Sequence, residues 1–261
     1  MPEMPGQWKA VAVPKEHGAW VMIAEAVLVG LGLALSWEGI VLGAVAVLAF
    51  FLTHPLKIFV RDLLDNRSFP RTMLAMKVAA VYAALMIVGF AAVLMNNPYP
   101  FWMPLVFAGI FYSLQIYFAV GRNEKTLAAE IMGGLATGSV AAAITIAGGF
   151  SLPAAFAVWA ALMVRGATSI VYVRHRLRKS RDEKYSLRNV TLAHAGGLLA
   201  LVGLQAMYGL PIIIILSFLV LFARAVYYLE VCSSFHRPQV VGIQEIIFGL
   251  FNSVMIVLSF R

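Results

Sequence analysis

Polar residues interrupt this chain in a one-sided way. Nine apolar stretches fall at about 17–36, 39–60, 73–95, 101–120, 126–147, 151–173, 190–208, 210–230 and 242–260. Each is close to the roughly 20 apolar residues a helix needs to cross hydrocarbon. Strands of a membrane barrel would alternate apolar and polar positions, and these runs do not. The pattern predicts an all-α fold: a polytopic integral membrane bundle of about nine transmembrane helices, one domain over residues 1–261. The connections are short, which excludes a large domain outside the membrane.

The basic residues orient the bundle. Lys9 and Lys15 precede the first span. Lys57, Arg61, Arg67 and Arg71 flank the connection after the second, and Arg122 and Lys125 follow the fourth. Seven Lys or Arg residues between 174 and 188 follow the sixth, and Arg237 follows the eighth. The alternate connections have no Lys or Arg, and Arg261 ends the chain on that side. Lys and Arg stay on the cytoplasmic side. The expectation is a multi-pass protein of the inner (plasma) membrane with a cytoplasmic N-terminus and an external C-terminus.

Composition fits this class: 12% of residues are charged and mean hydropathy is +0.87, where a soluble domain carries about twice that charged fraction. The net charge of +8 mostly follows from the loop asymmetry, so it indicates membrane lipids as contacts and no nucleic acid. Cys232 is the single cysteine, which excludes an internal disulfide. Residues 1–20 lack the n-region, h-region and cleavage site of a secretory signal, so the first span reads as a retained helix.

The interior polar residues share a depth near the cytoplasmic side. His17 and Glu25 are eight apart on one face of the first span. His54, Arg61, Asp62 and Asp65 line one face at the end of the second. Glu130 enters with the fifth. Arg165, Ser169, Tyr172 and Arg176 form a stripe on the sixth, and His194 enters with the seventh. Arg224 and Glu230 end the eighth, and Gln244 and Glu245 begin the ninth; Gln205 and Asn252 are exceptions. Ionisable groups in hydrocarbon face one another or water, so one cavity open to the cytoplasm is expected. It would take a polar head there and an apolar tail deeper in the bilayer. Two bland readings stand beside this: Arg and Lys at helix ends snorkel, and buried acids and bases pair to hold helices together.

Three segments concentrate chemistry. In residues 54–72, Asp62 and Asp65 are three apart, so both carboxylates point the same way from a helix end. Two such carboxylates suit magnesium, with water and phosphate completing its shell. Arg61, Arg67 and Arg71 are placed to clamp phosphate oxygens; ordinary Asp–Arg pairing at the interface is the alternative. In residues 172–188, Arg174, Arg176 and Arg178 would form a second phosphate wall with Asp182 as a further metal ligand; positive-inside bias and attraction to anionic lipid explain the same run. The third set, PKEHGAW at 14–20 and HRPQVVGIQE at 236–245, places a Pro, a His, a Gly and a Glu where the chain enters the membrane.

Nine spans, a cytoplasmic start and acidic residues after the second and sixth spans resemble the UbiA superfamily of intramembrane prenyltransferases. That family's first motif is approximately NDxxDxxxD; Asp62 and Asp65 match two of its aspartates, while Arg61 and Phe69 stand at its Asn and third Asp. Its second motif has only Asp182 and Glu183 as candidates. PKEHGAW and the VGIQE-type ending resemble the YwiC-like family of bacterial membrane proteins, the closer of the two likenesses. The UbiA likeness implies magnesium at Asp62 and Asp65 on an isoprenyl diphosphate, with Arg61, Arg71, Arg174 and Arg178 neutralising the departing diphosphate. The allylic cation would be attacked by an aromatic or other lipophilic acceptor, with Glu25, Glu130 or Glu245 orienting the acceptor or taking its proton. His17, His54, Arg165, Tyr172, Arg176, Arg224, Gln244 and Glu245 would line the substrate site. Two other classes stay open: a non-catalytic protein binding a quinone, a haem (through His54 and His194) or a partner subunit, and a transporter, whose midplane site and broken helices this shallow polar set does not match.

Overall fold

The computed structural model describes residues 7–14, 17–121, 126–231 and 238–260. The side chain of His17 lies outside the described residues, as do Lys15, Arg122, Lys125, Cys232, Arg237 and Arg261. The described residues form ten helices and no strand: α1 Gln7–Ala12, α2 His17–Leu33, α3 Trp37–Leu64, α4 Pro70–Asn96, α5 Trp102–Val120, α6 Leu127–Ala147, α7 Leu152–Ser180, α8 Leu187–Tyr208, α9 Ile212–Glu230 and α10 Pro238–Ser259. Helices α2 to α10 correspond to the nine apolar stretches. Seven of them are long and apolar enough to cross a membrane; α2 and α5 contribute shorter apolar segments, Trp20–Leu33 and Trp102–Phe118.

Helix ends follow local chemistry. Ser36 caps α3 by accepting from the Gly39 amide at 3.0 Å, and Ser186 caps α8 by accepting from the Asn189 amide at 3.2 Å, each satisfying an amide with no partner inside the helix. Pro70 opens α4, where its fixed φ suits a first turn. Gly209 closes α8 at φ +68, a left-handed conformation that favours glycine.

Two helices run past the boundaries that hydropathy suggests. At about 1.5 Å per residue, α3 with 28 residues and α7 with 29 span over 40 Å, against roughly 30 Å of hydrocarbon. Their C-terminal turns carry the polar residues that ended the apolar runs. Sequence hydropathy cannot see this, because a helix goes on once it leaves lipid provided its backbone bonds continue.

Helix α6 is the centre of the packing. Its stretch Gly138–Ala147 is buried throughout, and α2, α3, α5 and α7 pack on it. Small residues permit the approach: Gly30 of α2 and Gly39 of α3 both lie against Ile144. The last helix, α10, packs on α2, α7 and α9, so the chain's end closes back on its first long helix. Helix α4 lies outside, on α3 and α1, with most of its apolar surface exposed.

The short helix α1 did not register in the apolar pattern. Its C-terminal carbonyls, which no helix can satisfy internally, are met from two other helices. His54 Nε2 of α3 is 3.0 Å from the Ala10 carbonyl, and the Tyr82 hydroxyl of α4 donates to Ala12 at 3.3 Å. Trp20 of α2 donates to Pro14 at 3.4 Å. The N-terminal segment is thereby tied to α2, α3 and α4.

Candidate functional site

Four ionisable side chains from four helices meet inside the bundle. Glu25 of α2 and Arg165 of α7 form an ion pair at 2.6 Å. Each residue keeps only 5% of its surface exposed. The second Arg165 amino group donates to the backbone carbonyl of Glu245 on α10 at 3.3 Å. The Glu245 carboxylate pairs with Arg224 of α9 and accepts from the Ser169 hydroxyl of α7. The Arg224 guanidinium is sandwiched between the rings of Tyr172, at 4.4 Å, and Phe248, at 4.7 Å. Such stacking stabilises a desolvated cation by about 2 kcal/mol. At the helical rise, the four residues lie about 12–21 Å from the ends of their helices that have no basic loops. Against roughly 30 Å of hydrocarbon, the network therefore lies near mid-depth and not at the basic surface.

Local sequence explains the assembly. Arg165, Ser169 and Tyr172 share one face of α7 at spacings of four and three, and Arg165, Tyr172 and Arg176 of that stripe are buried. Gly249 lies one turn beyond Glu245 on α10, and a Cβ there would overlap the Glu25 carboxylate. Only a glycine lets α10 lie against the ion pair. The sequence reading missed Gly249; its spacing of four from an intramembrane glutamate was the available signal. It also missed how Asn252 is satisfied: its side-chain oxygen accepts from Ser217 of α9 at 3.1 Å.

Several polar atoms of the network have no partner. Glu25 Oε1, Arg224 Nε and Tyr172 OH are buried without a hydrogen bond, as is Gln244 Oε1 elsewhere on α10. An unmet buried polar group costs about 1–3 kcal/mol, so these atoms mark where another molecule or a proton would be accommodated. Two small recesses meet at Arg165. One, with room for about one water, is lined by Glu25 and by Gly134, Thr137 and Gly138 of α6. The other is lined by Ser169, His194, Arg224 and Glu245.

The remaining candidates fall into other groups, so the single cavity expected from shared depth resolves into separate clusters. Asp62 is 4% exposed and ties α3 to α4: it accepts from the Thr72 hydroxyl at 2.6 Å and from Arg71 at 3.2 Å. Asp65 ends α3, is partly exposed, and faces Arg67 at 3.8 Å. Three residues apart brought the aspartates to one end of α3, but the turn into α4 sent Asp62 inward. Arg71 also lies over the Phe69 ring at 5.0 Å. Glu130 of α6 pairs with Arg174 of α7 at 2.9 Å.

Arg176 is almost fully buried with its guanidinium over Tyr228 at 5.6 Å. Arg178 and Asp182 are exposed at the end of α7, where Asp182 takes a left-handed φ of +58. Arg61 begins the last turn of α3 and is half-buried. His54 faces α1, as described. His194 is buried, with Nδ1 2.9 Å from the Val190 carbonyl and its ring stacked at 5.4 Å on Phe222. Among the described residues, no three His, Cys, Asp or Glu side chains come together in a way that would hold a metal.

Residues 13–145, just over half of the chain, match the sequence profile described as YwiC-like protein. The chain belongs to the YwiC-like family. The matched stretch runs from the start of α2 to the end of α6 and so contains Glu25, Asp62 and Glu130, while Arg165, Arg224 and Glu245 of this YwiC-like protein lie beyond it. No curated protein and no solved structure matches the chain. Family and apolar helices together make it a multi-pass membrane protein in contact with lipid.

Proposed function

We propose that this YwiC-like protein handles an amphiphile whose anionic head sits at the basic end of the bundle, and that it transfers an isoprenyl group from a diphosphate donor to an aromatic or other lipophilic acceptor. The basic end is assigned to the cytoplasm by the Lys/Arg asymmetry. One observation carries the reading: the turn from α3 into α4 and the C-terminal end of α7 both carry arginines at the basic end of the bundle. These are Arg67 and Arg71 beside Asp62 and Asp65, and the run from Arg174 to Arg178. Below them lies lipid-facing apolar surface on α4 and α5, suited to an isoprenyl tail.

In this reaction the bond between the allylic carbon and the diphosphate oxygen breaks, and the electron pair leaves with the diphosphate. Arginines lower that barrier by offering fixed positive charge where negative charge develops. The acceptor then forms its bond to the allylic carbon and gives up a proton. Magnesium would enter with the diphosphate, whose oxygens supply most of its shell. The protein's donor set fits such an ion only as an addition to the diphosphate, because Thr72 and Arg71 already hold the Asp62 carboxylate.

The test is equilibrium binding of farnesyl diphosphate to the detergent-purified protein, with and without magnesium. Wild type should bind, Arg71→Ala should lose most of the affinity, and Asp65→Asn should lose the magnesium dependence while the protein stays folded. Absence of diphosphate affinity in wild type under both conditions overturns the reading. Native mass spectrometry of the same sample would then show whether a quinone or haem co-purifies.

A further inference from the structure

The interior network has unmet groups of two complementary kinds. Glu25 Oε1 is an acceptor with no donor. Arg224 Nε and Tyr172 OH are donors with no acceptor, and the Arg224 guanidinium lies 4.4 Å from the Tyr172 ring. A proton satisfies the first. An oxygen of an anion satisfies the others. We infer that the Glu25–Arg165–Glu245–Arg224 network is a proton-linked anion site, in which protonation of Glu25 frees Arg165 to join Arg224 in holding one carboxylate, sulfonate or phosphate group within the bundle.

The charges balance in each state. With both glutamates ionised, two carboxylates and two guanidiniums sum to zero. One proton on Glu25 cancels its charge and leaves Arg165 without its carboxylate, so the set carries plus one. One monoanion returns it to zero. Loss of the anion and then the proton restores the ion pair. A buried charge left unpaired costs several kcal/mol, so neither partial state is stable alone, and anion and proton bind together.

The surroundings leave Glu25 as the group that titrates. From α7 it faces Arg165, and from α10 it faces Gly249 with Glu245 one turn away. Helix α6 presents Gly134, Thr137 and Gly138, of which only Thr137 is polar, and its hydroxyl donates to the Gly133 carbonyl at 2.6 Å. His54 of α3 is turned to Ala10. The recess beside Glu25 has room for about one water, which could hand the carboxylate its proton. Room for the anion comes from parting α10 from α2, since Gly249 seals the pair.

This inference rests on the buried network and not on isoprenyl transfer; loss of diphosphate binding would leave it intact. The probe is a fluorescent long-chain alkylsulfonate, anionic at every working pH, bound to wild-type protein in nanodiscs of neutral lipid. Affinity should rise by up to tenfold per unit fall in pH, the limit for one linked proton. A pH-indicator dye should report uptake of one proton per bound sulfonate, a measurement on wild type alone.

Glu25→Gln should bind tightly with the pH dependence removed, and Arg165→Gln should not bind. Competition by ethanesulfonate tells the source of the natural ligand: displacement indicates a free anion, and persistence indicates a lipid headgroup. Affinity independent of pH in wild type, no sulfonate binding, or an unchanged pH dependence in Glu25→Gln overturns the proposal.

Discussion

The turn between α3 and α4 and the interior of the bundle solve one problem in opposite settings. At the turn, Asp62 and Asp65 pair with Arg71 and Arg67, both of whose side chains are 60% exposed. In the interior, Glu25 pairs with Arg165 where each side chain is 6% exposed. Water screens the two arginines and Asp65, so the Asp65–Arg67 pair holds little energy and the arginines can let go of one partner for another, while Asp62 stays buried and held by Thr72 as well. The interior pair has no such exit. It holds helices together, and it can change partners only if a proton or an anion compensates. The spacing in sequence draws the eye to the turn; the energetics point to the interior.

The sharpest way to break this contrast is at Gly249. Gly249→Leu places a side chain on the Glu25 carboxylate, and we expect more than about 5 kcal/mol of destabilisation, read as loss of monodisperse protein on size exclusion. A well-folded Gly249→Leu would mean that α10 does not seal the ion pair.

Arg165→Met comes next. It strands Glu25 in an apolar interior and should cost about 3–5 kcal/mol, read as a lower unfolding temperature in detergent. Adding Glu25→Gln should recover most of it, because two neutral partners leave no buried charge. A double variant no better than the single would show that packing of Arg165, and not its charge, is what α2 and α10 need.

At the turn the effects shrink. Thr72→Val removes the 2.6 Å hydrogen bond to Asp62 and should cost about 1–2 kcal/mol. Arg67→Ala removes an exposed pair at 3.8 Å and should change stability by less than about 0.5 kcal/mol. If Arg67→Ala proved as damaging as Arg165→Met, the turn would be a structural keystone and a poor candidate for ligand exchange.

Much of the fold was legible because hydrocarbon admits few solutions. Every backbone polar group must be satisfied within the chain there, so nine apolar runs became nine helices with ends displaced by only a few residues, apart from α7, which runs on to Ser180. The α7 stripe was legible for a related reason: 3.6 residues per turn puts Arg165, Tyr172 and Arg176 on one face, and all three are buried. Helix α1 was not legible. Six residues carry too little periodicity, and its stability comes from His54 and Tyr82, residues more than forty positions away.

The site was half legible. Sequence alone determined which ionisable residues lie in the membrane and roughly how deep, since depth is position along a helix of known rise. It could not determine partners, because those depend on which helices are neighbours. Glu25 meets Arg165 across 140 positions and Arg224 meets Glu245 only because α10 folds back between α2 and α9. Asp62 turned from a ligand-like residue into a fastener once α4 brought Thr72 and Arg71 against it. Hydrophobicity acts residue by residue and so can be read along a line; charge pairing acts between residues at a few ångströms, and only the packed helices decide who stands that close.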